Sequence, residues 1–175
     1  MRDVFRACYS KRVETAYYSF VSSPLGRLTI CCTEKGLLRL DLRGRRPADR
    51  RFDWVRAEEK TRPAASELAE YFAGQRQRFT IPLDLRGTPF QRQAWKALLA
   101  IPYGRTRSYG DIARQIGRPR AYRAVGQANH RNPMAIVVPC HRVVAADGGL
   151  GGYGGGLDRK QFLLDLEQRG RRQRL

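Results

Sequence analysis

The hydrophobic pattern of this chain of 175 residues changes character across a segment opened by Pro82 and closed by Gly87, from mainly strand-like to mainly helical. Before it, apolar residues fall in β-type runs at Tyr17–Ser22, Leu28–Thr33 and Leu37–Leu42. The turn Ser23-Pro24-Leu25-Gly26 and the tripeptide Glu34-Lys35-Gly36 separate these runs. After it, Phe90, Ala94, Ala97, Leu98 and Ile101 recur at helical spacing. A strand-period sequence does not settle as a helix, nor the reverse. The expected fold class is therefore α+β, with a small N-terminal lobe and a mostly helical C-terminal domain. The lobe, over residues 16–82, carries an antiparallel β-sheet and a helix. Residues 83–88 form a linker, and the second domain spans 89–168. Residues 1–15 read as a basic leader and 169–175 as a basic tail.

In the first lobe, Pro63 opens a helix with Leu68, Tyr71 and Phe72 on one face, and Gly74 ends it. The charged stretch Arg43–Arg62, with Pro47, reads as loop, and Gln77–Ile81 as a return to the sheet. In the second domain, Pro102-Tyr103-Gly104 ends the first helix. Ser108 caps the next, whose apolar positions are Ile112, Ala113 and Ile116. Gly117-Arg118-Pro119 breaks it, and Arg120–Ala128 restarts helically. Two short helices about a glycine turn have the form of a helix-turn-helix, although any packed helix corner gives the same pattern. The buried run Ala135–Val138 then stops at Pro139-Cys140-His141. A glycine-rich loop runs from Gly148 to Gly156, and a last helix from Leu157 to Glu167 turns Phe162, Leu163 and Leu166 inward.

Lys and Arg number 34 against 16 Asp and Glu, a formal net charge of +18. Such an excess attracts polyanions, and a DNA backbone fits it best; RNA, an anionic membrane or charge for solubility are the alternatives. No run approaches the ~20 apolar residues of a membrane span, and no apolar signal-peptide region opens the chain. The four cysteines and two histidines are too few and scattered for a disulfide framework, and Cys31-Cys32 reads as a buried pair. A reduced, cytoplasmic protein with a free reactive thiol is the expectation.

Cysteine is the one intrinsically strong nucleophile here once it is a thiolate. His141 lies beside Cys140, but neighbours on an extended strand point to opposite faces. Either the backbone bends sharply, as Pro139 favours, or a water joins the two groups. The alternative is a buried structural thiol.

Val138-Pro139-Cys140-His141-Arg142-Val143 resembles the active-site signature of the O6-alkylguanine-DNA alkyltransferase family. The resemblance continues through Pro102-Tyr103-Gly104, Ser108-Tyr109, Arg123-Ala124-Val125-Gly126, Asn132-Pro133, Gly151 with Tyr153, and a helix carrying Lys160 and Glu167. It covers residues 88–168 closely and 17–81 more weakly.

The family implies single-turnover transfer of an alkyl group from O6-alkylguanine, and from O4-alkylthymine, in double-stranded DNA. The reaction follows nucleotide flipping through the minor groove and uses no cofactor. By the same resemblance Cys140 is the alkyl acceptor, His141 its water-mediated base, and Glu167 the carboxylate orienting His141. Tyr109 donates to guanine N3, Asn132 supports the active-site loop, and Lys160 lies near the reactive site. Arg123 is the finger entering the duplex, with Ala121, Ala124, Gly126 and Ala128 giving close backbone approach to DNA; ordinary helix packing is the competing account of each small residue. Val143, Tyr153 and Gly154 line the substrate pocket. A monomer is expected, with cooperative assembly on DNA left open. A relay through His141 and Glu167 implies a lowered Cys140 pKa. It also implies a milder loss for Glu167→Gln than for His141→Ala, because a neutral amide still positions the ring.

Gly154 stands where the family often has Ser, which bears on adduct preference. Some members bind zinc in the first lobe, but Cys8, Cys31 and Cys32 without a histidine make a poor set, so no metal is expected. Two other classes compete. A binding-only relative commonly has Trp in place of the acceptor, and a cysteine hydrolase built on Cys140 and His141 would turn over repeatedly and ignore DNA.

Overall fold

The computed structural model describes residues 13–172; the leader as far as residue 12, with Cys8, and the last three residues of the tail lie outside them. Strands β1 (Glu14–Ser23), β2 (Gly26–Thr33) and β3 (Gly36–Asp41) form an antiparallel meander. A fourth strand, β4 (Phe52–Arg56), pairs parallel with β1 from Glu14↔Phe52 to Tyr18↔Arg56, giving the order β3-β2-β1-β4. The sheet is thus mixed, and the segment expected as loop contains both this edge strand and the start of a helix. Phe52 packs with Ala16 and Leu38, and Trp54 closes over them. That apolar pair anchors β4 despite the charges around it.

Helix α1 (Glu58–Phe72) begins five residues before Pro63, with Glu58 and Glu59 in its first turn, where acidic side chains complement the helix dipole. It crosses the sheet, and a 2.6 Å hydrogen bond joins Thr61 Oγ1 to Ser19 Oγ. The chain does return to the sheet, but at Pro82–Asp84 rather than Gln77–Ile81. Leu37 N donates to Pro82 O and Asp84 N to Leu37 O, both at 2.8 Å. Gly36 is needed there: its φ is +131°, and a Cβ would collide with the Pro82 carbonyl. Over 75–81 the backbone bonds elsewhere instead: Gln75 N and Arg76 N donate to Glu70 O, and the Glu67 carboxylate accepts from Thr80 N at 2.8 Å and Ile81 N at 3.4 Å.

Helix α2 (Pro89–Leu99) opens with proline at N1 and a reciprocal Thr88/Gln91 capping box. Its Trp95 is 2 % exposed and donates from Nε1 to Ala128 O at 2.9 Å. A short pair, β5 (Arg107–Ser108) and β6 (Val143–Val144), runs parallel. Helices α3 (Tyr109–Gln115), capped by Ser108, and α4 (Tyr122–His130) flank Gly117 at φ +72° and pack on each other and on α2. These form the helix-turn-helix. The last helix, α5 (Leu157–Arg172), continues past Glu167 into the stretch expected as a basic tail.

One continuous core runs from Leu28 and Ile30 through Leu68, Tyr71 and Trp95 to Val138 and Leu163. The exposed edge of β3 also docks directly on the loop before Cys140, with Leu40 N donating to Pro133 O at 2.9 Å. The first lobe is therefore a wall of the site.

Candidate active site

The segment from Asn132 to Arg142 folds as irregular turns rather than as a strand end. Ile136 adopts φ +75° while fully buried, an unusual state for a β-branched residue that persists only where the surroundings fix it. Asn132 supplies part of that fixing. Its Nδ2 donates to Val138 O at 2.7 Å and to Cys140 Sγ at 3.1 Å, while its Oδ1 accepts from Met134 N at 3.0 Å. After Pro139 the chain turns sharply into a 3-10 turn, Cys140–Arg142. Cys140 is 7 % exposed, and His141 and Glu167 are fully buried.

His141 Nε2 lies 2.8 Å from Glu167 Oε1. An ionised carboxylate accepts only, so the ring proton sits on Nε2, and Nδ1, buried and unpartnered among the described residues, is left as an acceptor. Glu167 also receives Arg142 Nε and Nη2 at 2.9 Å, Gly104 N at 2.9 Å and the Tyr71 hydroxyl at 2.8 Å. Burial works to raise this carboxyl's pKa, but His141 and Arg142 outweigh it and hold it at about 2. Arg142, which sequence reasoning passed over as part of a motif, shares the carboxylate with His141 and donates to Ile101 O at 2.7 Å.

Burial pushes the Cys140 thiol above its ordinary value, against the opposing pull of Asn132, the Lys160 charge and the backbone N–H groups of Cys140 and His141. Burial likewise pushes His141 below the usual imidazole range. The depressed thiol pKa expected from a relay is therefore not a property of the resting protein: both groups rest neutral. Lys160, itself lowered by burial, donates to Val143 O at 2.6 Å and to Leu150 O. It pins the glycine-rich loop to β6 and leaves its charge facing the sulfur's surroundings.

Two cavities meet at Cys140, sharing Asn129, His130, Tyr153 and Gly154 as walls. The one of about 470 Å³ opens toward the helix-turn-helix and is lined by Tyr109 and Gly126. The other, about 390 Å³, opens toward β3. Tyr109 is half-buried, with its hydroxyl donating weakly to Gly152 O at 3.4 Å, and Tyr153 carries a buried hydroxyl without a partner among the described residues. A Cβ at Gly154 would meet nothing nearer than 3.9 Å, whereas one at Gly155 would strike Leu42 at 2.7 Å and Tyr153 at 2.8 Å.

The structure thus gathers Cys140, His141, Glu167, Asn132, Lys160, Tyr109, Tyr153 and Gly154 about one point, while Val143, expected to line the pocket, is fully buried in β6, lines neither cavity and meets the site through its carbonyl, which accepts from Lys160 Nζ. Arg123 lies elsewhere, exposed on α4, its guanidinium 5.7 Å from the ring of the exposed Tyr122. Ala121 and Ala124 accompany it, and Gly126 faces Tyr109. Ala128 does not: at 2 % exposure it packs inward, and its small size serves the helix packing rather than an approach to DNA. Among the described residues, no helix is long and apolar enough to cross a membrane, and no group of three potential ligands could hold a metal ion.

A buried cysteine next in sequence to a carboxylate-bound histidine, set behind a basic helix-turn-helix, fits the class of direct-reversal DNA alkyltransferases. Residues 16–85 match the ribonuclease-like domain of 6-O-methylguanine DNA methyltransferase, and residues 89–169 match its DNA binding domain. The chain belongs to that family, and its activity is the single-turnover transfer of the alkyl group from O6-alkylguanine in DNA to the protein itself. Among relatives, the methylated-DNA–protein-cysteine methyltransferase of Methanosarcina barkeri is 50 % identical over 153 residues, 87 % of this chain and 97 % of the relative. That of Mycolicibacterium paratuberculosis is 53 % identical over 152 residues, 87 % and 92 % of the two. A Mycobacterium tuberculosis OGT crystallised with DNA superposes with a TM-score of 0.82 at 49 % identity, covering 88 % of this chain and 94 % of that one.

Proposed function

We propose that Cys140 is the alkyl acceptor and that the residues around it divide the chemistry as follows. The damaged nucleotide is flipped through the minor groove into the cavity between Tyr109 and Tyr153, at a cost of a few kcal/mol in lost stacking and pairing. Arg123, projecting from α4, enters the duplex and refills the gap, while Ala121, Ala124 and Gly126 let the helix approach the backbone. The Cys140 thiol loses its proton through a water to Nδ1 of His141. Its sulfur then attacks the alkyl carbon in line as the carbon–O6 bond breaks. Tyr109 donates to guanine N3, offsetting the charge that moves into the ring. Tyr153 and Gly154 border the base, and Lys160, held by the Val143 carbonyl, steadies the loop that covers it. No organic cofactor enters, because the DNA supplies the group transferred. The protein works as a cytoplasmic monomer on double-stranded DNA, with O4-alkylthymine as a second substrate.

The observation that carries this reading is the 3.1 Å contact from Asn132 Nδ2 to Cys140 Sγ at the meeting point of the two cavities. It holds the sulfur facing the space where a base would sit. The test is intact-protein mass spectrometry after exposure to an O6-methylguanine duplex. One added methyl on Cys140 per molecule is expected, with none on Cys140→Ser, which keeps its DNA affinity. Continued turnover under excess substrate would overturn the assignment and favour a hydrolase.

A further inference from the structure

We propose that Tyr122 is a second inserting residue beside Arg123: its ring enters the minor groove with the guanidinium and stacks on a base bared next to the flipped nucleotide. The inference rests on the reading of Arg123 as the finger and gives work to a neighbour that this reading leaves idle.

Tyr122 and Arg123 are the first two residues of α4, the second helix of the helix-turn-helix. Residues at this end of such a helix are the ones that reach the bases. Tyr122 is 48 % exposed and is the one aromatic among the exposed large apolar side chains of the described residues. A lone exposed apolar residue ordinarily needs no explanation. This one differs in its surroundings. Arg118, Arg120 and Arg123 lie exposed on either side of it in the chain, and the first turn of α4 holds no acidic residue. An aromatic ring in a basic surface is the combination that holds unstacked nucleic acid, the charge serving the phosphates and the ring a base.

Shape leads the same way. Small residues at 121 and 124 keep the surface of α4 low for an approach to DNA, and a phenol standing between them blocks that approach unless it leaves the surface. A minor groove about 6 Å wide admits a ring edge-on. Side chains wedged in from that side are known to part base steps. Flipping one nucleotide bares a face of each neighbouring base, more surface than a single guanidinium covers. The Arg123 guanidinium lies 5.7 Å from the centroid of the Tyr122 ring. That separation falls between one and two base rises of about 3.4 Å. The two groups therefore suit neighbouring levels of the stack, with the guanidinium in the vacated one and the ring against the next base. Before binding, the ring also restrains a long side chain that would otherwise wander.

Two measurements test this. Single-turnover rates are compared on an O6-methylguanine duplex and on the free base. Tyr122→Ala should slow the duplex reaction about tenfold, the scale of one lost base–aromatic stack, and leave the free base unchanged. Tyr122→Phe should keep the wild-type rate, whereas Tyr122→Leu, apolar but without a π face, should not. The second measurement places 2-aminopurine, a fluorescent base quenched by stacking, on either side of the lesion in duplex bound to unreactive Cys140→Ser. One flanking position should stay dark there and brighten in Cys140→Ser/Tyr122→Ala. Equal brightness at both flanks in the two proteins would overturn the proposal. So would Tyr122→Leu matching Tyr122→Phe, or equal slowing on duplex and free base. Loss in Tyr122→Ala with none in Arg123→Ala would sink the finger reading and leave Tyr122 as the wedge; the reverse would sink Tyr122 and leave the finger.

Discussion

The Tyr71 hydroxyl, on α1 of the first lobe, donates a 2.8 Å hydrogen bond to Oε1 of Glu167 on the last helix. The same oxygen lies 2.8 Å from His141 Nε2, so the lobe without the nucleophile holds the carboxylate that orients the nucleophile's base. Burial beside Glu167 pushes the Tyr71 phenol well above its ordinary value, so it stays protonated and donates to the ionised carboxylate, which can only accept. Tyr71→Phe keeps a ring that packs edge-on to Tyr103 at 6.1 Å and deletes only the hydroxyl. A loss of about 1–2 kcal/mol is expected in denaturant unfolding, with alkyl transfer slowed only a few-fold. Unchanged stability would mean that the bond does not couple the lobes.

Glu167→Gln should be more damaging than sequence reasoning suggests. Both carboxylate oxygens accept, from His141, Tyr71, Arg142 and Gly104, so an amide in either orientation turns its NH2 group toward donors. Arg142 already neutralises the charge, so the residue's work is shared between orientation and architecture. Its folded pKa of about 2 lies below the ordinary 4.5. The resulting stability, about 3 kcal/mol, is present above pH 4.5 and lost as pH falls toward 2. Urea unfolding from pH 7 to 3 should therefore show a steeper acid loss in wild type than in Glu167→Gln. Parallel curves would place the acid sensitivity elsewhere.

The glycines of the covering loop separate into two kinds. Gly154→Ser has open space and an ordinary backbone, so stability should stay within about 0.5 kcal/mol of wild type. Its hydroxyl faces the shared wall of the two cavities and should alter the ratio of methyl to bulkier adduct transfer. Gly155→Ala meets Leu42 and Tyr153 below 3 Å and should destabilise by about 1–3 kcal/mol. Thermal melts of the two variants side by side decide this; equal melting temperatures would mean that the loop is not packed on the first lobe.

Arg123→Ala should bind duplex with modest loss and react slowly on it, yet lose much less on single strands or free O6-methylguanine, which need no flipping. The guanidinium is exposed, and among the described residues its one partner is the ring of Tyr122, 5.7 Å away, so its removal should leave the fold intact. Equal losses on all three substrates would remove the finger role.

Legibility in the sequence followed the strength of the local signals. The β-runs of the meander, the Ser108 cap and the glycine break between α3 and α4 rest on periodicity and capping, and the structure contains each. β4 was not legible: five residues flanked by arginines show no long alternation, and only the distant partners Ala16 and Leu38 make Phe52 a core residue. The start of α1 was misplaced because Pro63 looks like a first residue, although the acidic pair Glu58-Glu59 was the better marker. In the site, motif resemblance named Cys140, His141 and Glu167. Tyr71 carries no motif, and its role arises only when the two lobes close on each other. Ala128 shows the converse, a small residue whose motif position suggested DNA and whose burial assigns it to packing.

The pH dependence of transfer separates a preformed thiolate from one made on demand. Burial holds the Cys140 thiol above its ordinary range, so at neutral pH the sulfur is protonated in the resting protein. Burial also holds His141 below its ordinary value, so the imidazole is neutral and able to accept a proton across the neutral range. These two shifts fix the sign: the rate should climb with rising pH through and beyond 8.5, where an unperturbed thiol would already be half ionised. It should show no loss from His141 protonation until well below pH 6.5. His141→Ala should lower the rate severely, because the proton then has no acceptor, and the residual activity should depend more steeply on pH. Lys160→Met removes the charge that favours the thiolate and should move the rising limb to higher pH. The measurement is the single-turnover rate on an O6-methylguanine duplex from pH 5.5 to 9.5, with thiol reactivity titrated in the same samples without DNA. A rate that levels off by pH 7 with a matching thiol titration would show a standing thiolate, and the proton path through His141 would then lose its purpose.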